Sequence, residues 1–211
     1  MENYIHIIKN EKEIDNLEAF KVVHSLWTSK QNPATEAKIA FIPSKGFVIK
    51  MRCFEKNPLA TFKNHMDMVC KDSAMEFFFC LPHFQKDDKD SFKPYDDCLY
   101  MNFEMNSFGA LYSKYGFGRK GRIQLTDEER ASCKPYAEVF DDFWEMNLLI
   151  PLTLIKKIYG IDGFEKGDRI WCNFYKISES SYIEHYMAFA PIDNPTPNFH
   201  LPRFFAPFII E

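Results

Sequence analysis

The sequence predicts an all-β protein: an antiparallel β-sandwich of jelly-roll type with a few short helices, folded as a single domain over residues 1–211. Three observations predict it. Apolar residues recur with a period of two along most of the chain, as in half-buried strands. Helical patterning is confined to two short stretches. The composition, 46% hydrophobic and 17% aromatic with 22 Phe, supplies a core large enough to exclude disorder in 211 residues.

Strands are expected, in order, at FKVVHSLW (20–27), AKIAFI (37–42), FVIKMRCF (47–54), MEFFFCL (75–81), CLYMNFEMN (98–106), ALYSKY (110–115), FWEMNLLI (143–150), IWCNFYKI (170–177), HYMAFA (185–190) and FFAPFII (204–210). Two show the alternation most cleanly. Leu99, Met101, Phe103 and Met105 face one way, against Tyr100, Asn102, Glu104 and Asn106. Ile170, Cys172 and Phe174 are set against Trp171, Asn173 and Tyr175. Trp144 shares a side with Met146, Leu148 and Ile150, and both it and Trp27 are expected in the core. The helices are TDEERASC (126–133), with Thr126 as N-cap and Glu129 at the capping-box position, and LTLIKKIYG (152–160), closed by Gly160.

Charge narrows the partners. Lys and Arg number 26 against 30 Asp and Glu, a net charge of −4, so there is no basic excess to meet a phosphate backbone. No apolar run approaches the ~20 residues that span a bilayer. Neither nucleic acid nor a membrane is therefore expected as a partner, and the oligomeric state is left open. The first residues, MENYIHIIKNEKEIDN, lack the apolar stretch of a signal peptide, and none of the six cysteines falls in a CxxC pair. Buried free thiols in a reducing cytoplasm are the expectation.

One motif invites a different reading. GFGRKG (116–121) fits G-x-G-x-x-G, the phosphate loop of dinucleotide-binding folds. That loop needs a buried parallel strand before it and a long amphipathic helix starting inside it. RIQLTDEER follows instead, and the chain lacks β-α-β alternation, so a basic surface loop between antiparallel strands is expected. G-x-S-x-G, HExxH and the P-loop lysine motif are absent.

Three segments in order carry a family resemblance: YMNFEMNSFGALYSKYG (100–116), NFYK within WCNFYKISE (171–179), and HYMAFAPIDNPTPNFHLPRFFAPFIIE (185–211), whose Pro197, Phe199, His200, Pro202 and Phe205 form its most specific part. Together they resemble the family 9-like carbohydrate-binding modules, of the DOMON-like β-sandwich superfamily. The match runs from about Glu76 to the end. Phe189 stands where that pattern has Trp, and Ala206 where it has Gly. The resemblance implies a non-catalytic sandwich that binds mono- or oligosaccharides, linked to carbohydrate catabolism. It implies no cofactor, with calcium the one structural ion that some members hold.

Sugars present an apolar C–H face and a rim of hydroxyls, which call for flat aromatic rings and planar polar groups on one surface. Two strand faces offer that chemistry: Tyr100, Asn102 and Glu104, and Trp171, Asn173 and Tyr175. Arg119 and Arg122 from the glycine-rich loop, Glu76 and His185 complete the candidate ligand-binding set. The competing reading of the strand residues is an ordinary covered outer face. His200 is expected to be a packed histidine bonded to backbone.

Other chemistries remain as alternatives. Glu76 and Glu104 would be the carboxylate pair of a small glycoside hydrolase. A haem-binding electron-transfer domain of the same superfamily would use ligands such as His65 and Met68. Asp87, Asp88 and Asp90 form an acidic run that lacks the EF-hand pattern, and a solvated loop is the expectation there.

Overall fold

A computed structural model describes residues 2–83, 87–88 and 91–211. It contains β1 (Asn3–Ile7), β2 (Phe20–Lys21), β3 (His24–Ser25), β4 (Thr35–Ile42), β5 (Gly46–Cys53), β6 (Ala74–Cys80), β7 (Leu99–Asn106), β8 (Leu111–Phe117), β9 (Ile123–Gln124), α1 (Asp127–Ser132), β10 (Tyr136–Val139), β11 (Trp144–Pro151), α2 (Leu152–Tyr159), β12 (Arg169–Ser178), β13 (His185–Ala188) and β14 (Ala206–Ile210). The architecture is the all-β, sandwich-like one expected.

The main strands form one hydrogen-bonded path, β10-β11-β5-β4-β1-β14-β12-β6-β7-β8-β9. It curls into two layers whose inner faces meet. Phe41, Ile49, Met51, Trp144, Met146 and Leu148 come from one side, and Met75, Phe77, Phe79, Met101, Phe103 and Phe174 from the other. The period-two pattern of the sequence is the cause: every second residue of these strands enters this core.

Most ladders are antiparallel; the two exceptions both involve β1. β1 runs parallel to β14 through Asn3–Ile5 and parallel to β4 through His6–Ile7, so it hands the hydrogen-bonding path from one layer to the other. This departs from a purely antiparallel sandwich. β1, β9 and β10 were also missed as strands. β9 is two exposed residues and β10 an exposed edge, so neither carries a burial pattern. The 20–27 stretch breaks into β2 and β3, with Val23 exposed between them.

Both helices form where expected. Thr126 and Glu129 make the full capping box at α1. α2 ends at Gly160, whose φ of 76° is the left-handed cap that glycine adopts without a Cβ clash. All six cysteines are free, five of them buried. No described helix is long and apolar enough to cross a membrane.

Candidate functional site

The outer face of the β12-β6-β7-β8 layer carries the polar half of the alternation. Its register sets three rows across the strands. Tyr175, Glu76, Glu104 and Tyr112 form one, Asn173, Phe78, Asn102 and Lys114 the next, and Trp171, Cys80, Tyr100 and Gly116 the third. The candidate strand residues therefore do share one face. What separates them is a cover.

The C-terminal tract lies over the β12 half of that face. Phe199 stacks on Tyr175 with ring centroids 4.1 Å apart and an interplanar angle of 10°. Leu201 and Phe205 join the same apolar cluster as Phe78, Tyr100 and Tyr175. The β6–β8 half stays open as a cleft of about 430 Å³, within the size range of small-molecule sites. Asn102, Glu104 and Glu76 form its floor, Tyr112 and Lys114 continue it along β8, and Arg119, Gly121 and Arg122 bound one side. Trp27, Tyr186 and the Pro197–His200 segment bound the other, with Met68, Cys70, Ile177 and Glu179 completing the rim.

The floor is acidic and its carboxylates are buried. Glu76 and Glu104 are direct cross-strand partners, 2% and 6% exposed. Burial pushes the Glu104 carboxyl up to about 7, against the pull of the Asn102 hydrogen bond and Arg122. Burial also raises Glu76 well above the carboxylate range, and the neighbouring charge of Glu104 adds to the rise. At neutral pH the pair therefore retains a proton. Asn102 Nδ2 donates to Glu104 Oε1 at 2.9 Å, whereas Glu76 Oε2 is buried with no hydrogen-bond partner.

Arg122 organises the glycine-rich loop. Its Nη1 donates to the Gly116 and Gly118 carbonyls, and its Nη2 to the Tyr100 and Lys114 carbonyls and to Asn102 Oδ1 at 2.7 Å. The guanidinium lies 3.5 Å from the centre of the Tyr100 ring. Gly118 sits at φ 63°, where an added Cβ would also meet Asp97 Oδ1 at 2.8 Å. The G-x-G-x-x-G spacing thus serves a loop wrapped around an arginine. Arg119 is exposed and lines the cleft.

Of the ten candidate site residues, Glu76, Asn102, Glu104, Arg119 and Arg122 line this cleft. Tyr100 is buried beneath Arg122, with its hydroxyl 2.9 Å from His200 Nδ1. The expected convergence of Trp171 and Tyr175 with Asn102 and Arg119 in one hollow is not what the structure shows. Tyr175 is buried under Phe199. The Asn173 amide is spent on Ala190, accepting from its backbone N–H and donating to its carbonyl. Trp171 packs edge-on against Phe92 and borders a separate depression with Leu81, Phe164 and Arg169. His185 is buried outside the cleft, where Lys176 Nζ donates to its Nε2 at 2.8 Å and its Nδ1 meets the Ile183 carbonyl. Burial, with the Lys176 charge, drives its pKa down to about 4.

Two other placements differ from expectation. Trp144 is in the core, but Trp27 forms cleft wall, its indole N–H donating to the Asn194 carbonyl at 2.7 Å. His200 is packed, tilted against Phe78, yet it bonds the Tyr100 hydroxyl rather than backbone. Burial and then Arg122 push it down to about 3, so the ring is neutral. Lys114 and Tyr112 were missed, although they alternate on β8 in phase with Asn102 and Glu104. Glu179 lies in a loop and Cys70 in a single 3-10 turn, Val69–Lys71, so neither carried a periodic signal.

Asp87 accepts from the His83 N–H and the Tyr95 hydroxyl, and Asp88 from Ser91. Asp90 lies outside the described residues, and among those described no group of three His, Cys, Asp or Glu is placed to hold a metal ion. His65 accepts the Leu111 N–H at its Nδ1.

Comparison with known proteins gives the site its context. The family model for carbohydrate-binding family 9 matches residues 8–210. A candidate carbohydrate-binding protein from Bacteroides uniformis ATCC 8492 superposes with a TM-score of 0.82 at 20% identity, over 99% of this chain and 98% of its own. A family 9 carbohydrate-binding module from Caldicellulosiruptor kristjanssonii in complex with cellotriose gives a TM-score of 0.63 at 10% identity, over 100% and 94%. One from the same organism with glucose gives 0.60 at 12%, over 100% and 94%. No curated protein matches the chain. The family match covers nearly the whole sequence, and the neighbours share its fold end to end: this chain belongs to carbohydrate-binding family 9.

Proposed function

We propose that this protein binds a mono- or short oligosaccharide, without catalysis, in the cleft over β6, β7 and β8. One observation carries the location. It is a concave opening of about 430 Å³ whose floor holds an amide and two carboxylates, with a guanidinium at its edge. Amide, carboxylate and guanidinium are the planar groups that meet sugar hydroxyls in pairs. Trp27, Tyr112 and Tyr186 supply the apolar contact for C–H faces. The family match and the neighbours that carry cellotriose and glucose support the ligand class. Neither haem binding nor glycoside hydrolysis gains comparable support.

The six free thiols fit a reducing compartment, and on this reading the protein serves carbohydrate catabolism in the cytoplasm. Calorimetric titration with glucose, cellobiose and xylo-oligosaccharides tests the binding. Saturable one-to-one binding that weakens at least about tenfold in Asn102→Ala is the expected result. Flat heats across a broad glycan panel contradict it.

A further inference from the structure

Three carboxylates, Glu76, Glu104 and Glu179, line the cleft. Among the described residues no ion pair joins any of them to a cation. Arg122 spends both Nη atoms on carbonyls and Asn102. Lys176, a cation near Glu76, is held by Ser73, His185 and Glu55. Lys114 lies over the Tyr112 ring, its Nζ 4.9 Å from the centroid. Glu76 is 2% exposed, and its Oε2 has no hydrogen-bond partner.

Such a floor is shaped for a donor that brings charge with it. A neutral sugar offers hydroxyls, which a half-protonated carboxyl pair meets without ionising. An ammonium group offers three donors and a positive charge to a cluster in which Glu76 Oε2 has no donor and neither carboxylate has an ion-pair partner among the described residues. Resting on the cleft being the carbohydrate site, we propose that it prefers a sugar with a free amino group, a 2-amino-2-deoxyhexose alone or at the end of a short chain, with its ammonium against Glu76 and Glu104. Binding of the ammonium then releases the pair's retained proton to solvent.

The test is calorimetry of the wild-type protein with glucosamine, N-acetylglucosamine, glucose and cellobiose, at low salt and slightly acid pH. Glucosamine is expected to bind about tenfold or more tighter than either neutral monosaccharide. Salt is expected to shrink the preference, and Glu76→Gln to bring it close to one. Neutral sugars that equal or exceed glucosamine overturn the proposal and leave carbohydrate binding standing. A preference that survives in Glu76→Gln, shown to be folded by its thermal transition, overturns the placement of the ammonium. Silence from all four sugars overturns the cleft as the carbohydrate site and this proposal with it.

Discussion

Glu76 and Glu104 face each other across the β6–β7 ladder, both buried, with a single side-chain hydrogen bond, from Asn102, between them. Like charges directly opposite on neighbouring strands oppose folding. The sheet accommodates this pair by keeping a proton on it.

That proton makes stability depend on pH, with a definite sign. An acid whose folded pKa lies above its unfolded value binds more protons folded than unfolded, so stability falls as pH rises between the two. For Glu104 the window runs from 4.5 to about 7. Glu104→Gln removes this term. Relative to wild type, the variant is expected to gain on the order of 1–3 kcal/mol as pH rises through the window. Urea unfolding of both proteins at stepped pH measures the difference.

His200 and His185 act in the opposite direction. Both have folded pKa values far below the ordinary 6.5, so the unfolded chain takes up protons first and stability is lost as pH falls below about 6.5. The wild-type profile is thus flattened between pH 4.5 and 6.5 by opposing terms. Nitrogen-15 spectra of the imidazoles at mildly acid pH are expected to show both rings neutral in the folded protein. A ring that titrates with an ordinary histidine midpoint contradicts the buried assignment.

Arg122 holds the cleft's edge loop through five acceptors. Lysine keeps the charge but loses the planar fork, and leaves several carbonyls unmet. Arg122→Lys is expected to lose about 2–4 kcal/mol of stability. Amide exchange across residues 116–124 should speed up in the variant, while the β4–β5 ladder stays protected. Unchanged exchange in the loop argues against the arginine as its organiser.

The face assignments were legible because they rest on a period of two. Tyr100, Asn102 and Glu104 fall on the outer face, Met101 and Phe103 in the core, as the alternation of β7 dictates. The capping box of α1 was equally local. What the sequence left hidden depends on distant segments meeting. Trp171 and Tyr175 have the right residue type and the right face, but only the docking of Phe199 decides that Tyr175 is covered. Trp27 has a core residue's composition, and only the chain around Asn194 decides that it stands at a rim. The parallel pairing of β1 leaves no mark in five residues.

The most direct test uses the three indole N–H signals of Trp27, Trp144 and Trp171, assigned by single substitution and followed by NMR during titration with the best-binding sugar. Trp27 lines the cleft, Trp144 lies in the core, and Trp171 borders the separate depression. A saturable shift of the Trp27 signal, with Trp144 and Trp171 unmoved, is the result predicted by sugar binding over β6–β8. Movement of Trp171 with Trp27 silent would place the saccharide in the separate depression beside Trp171 and contradict it.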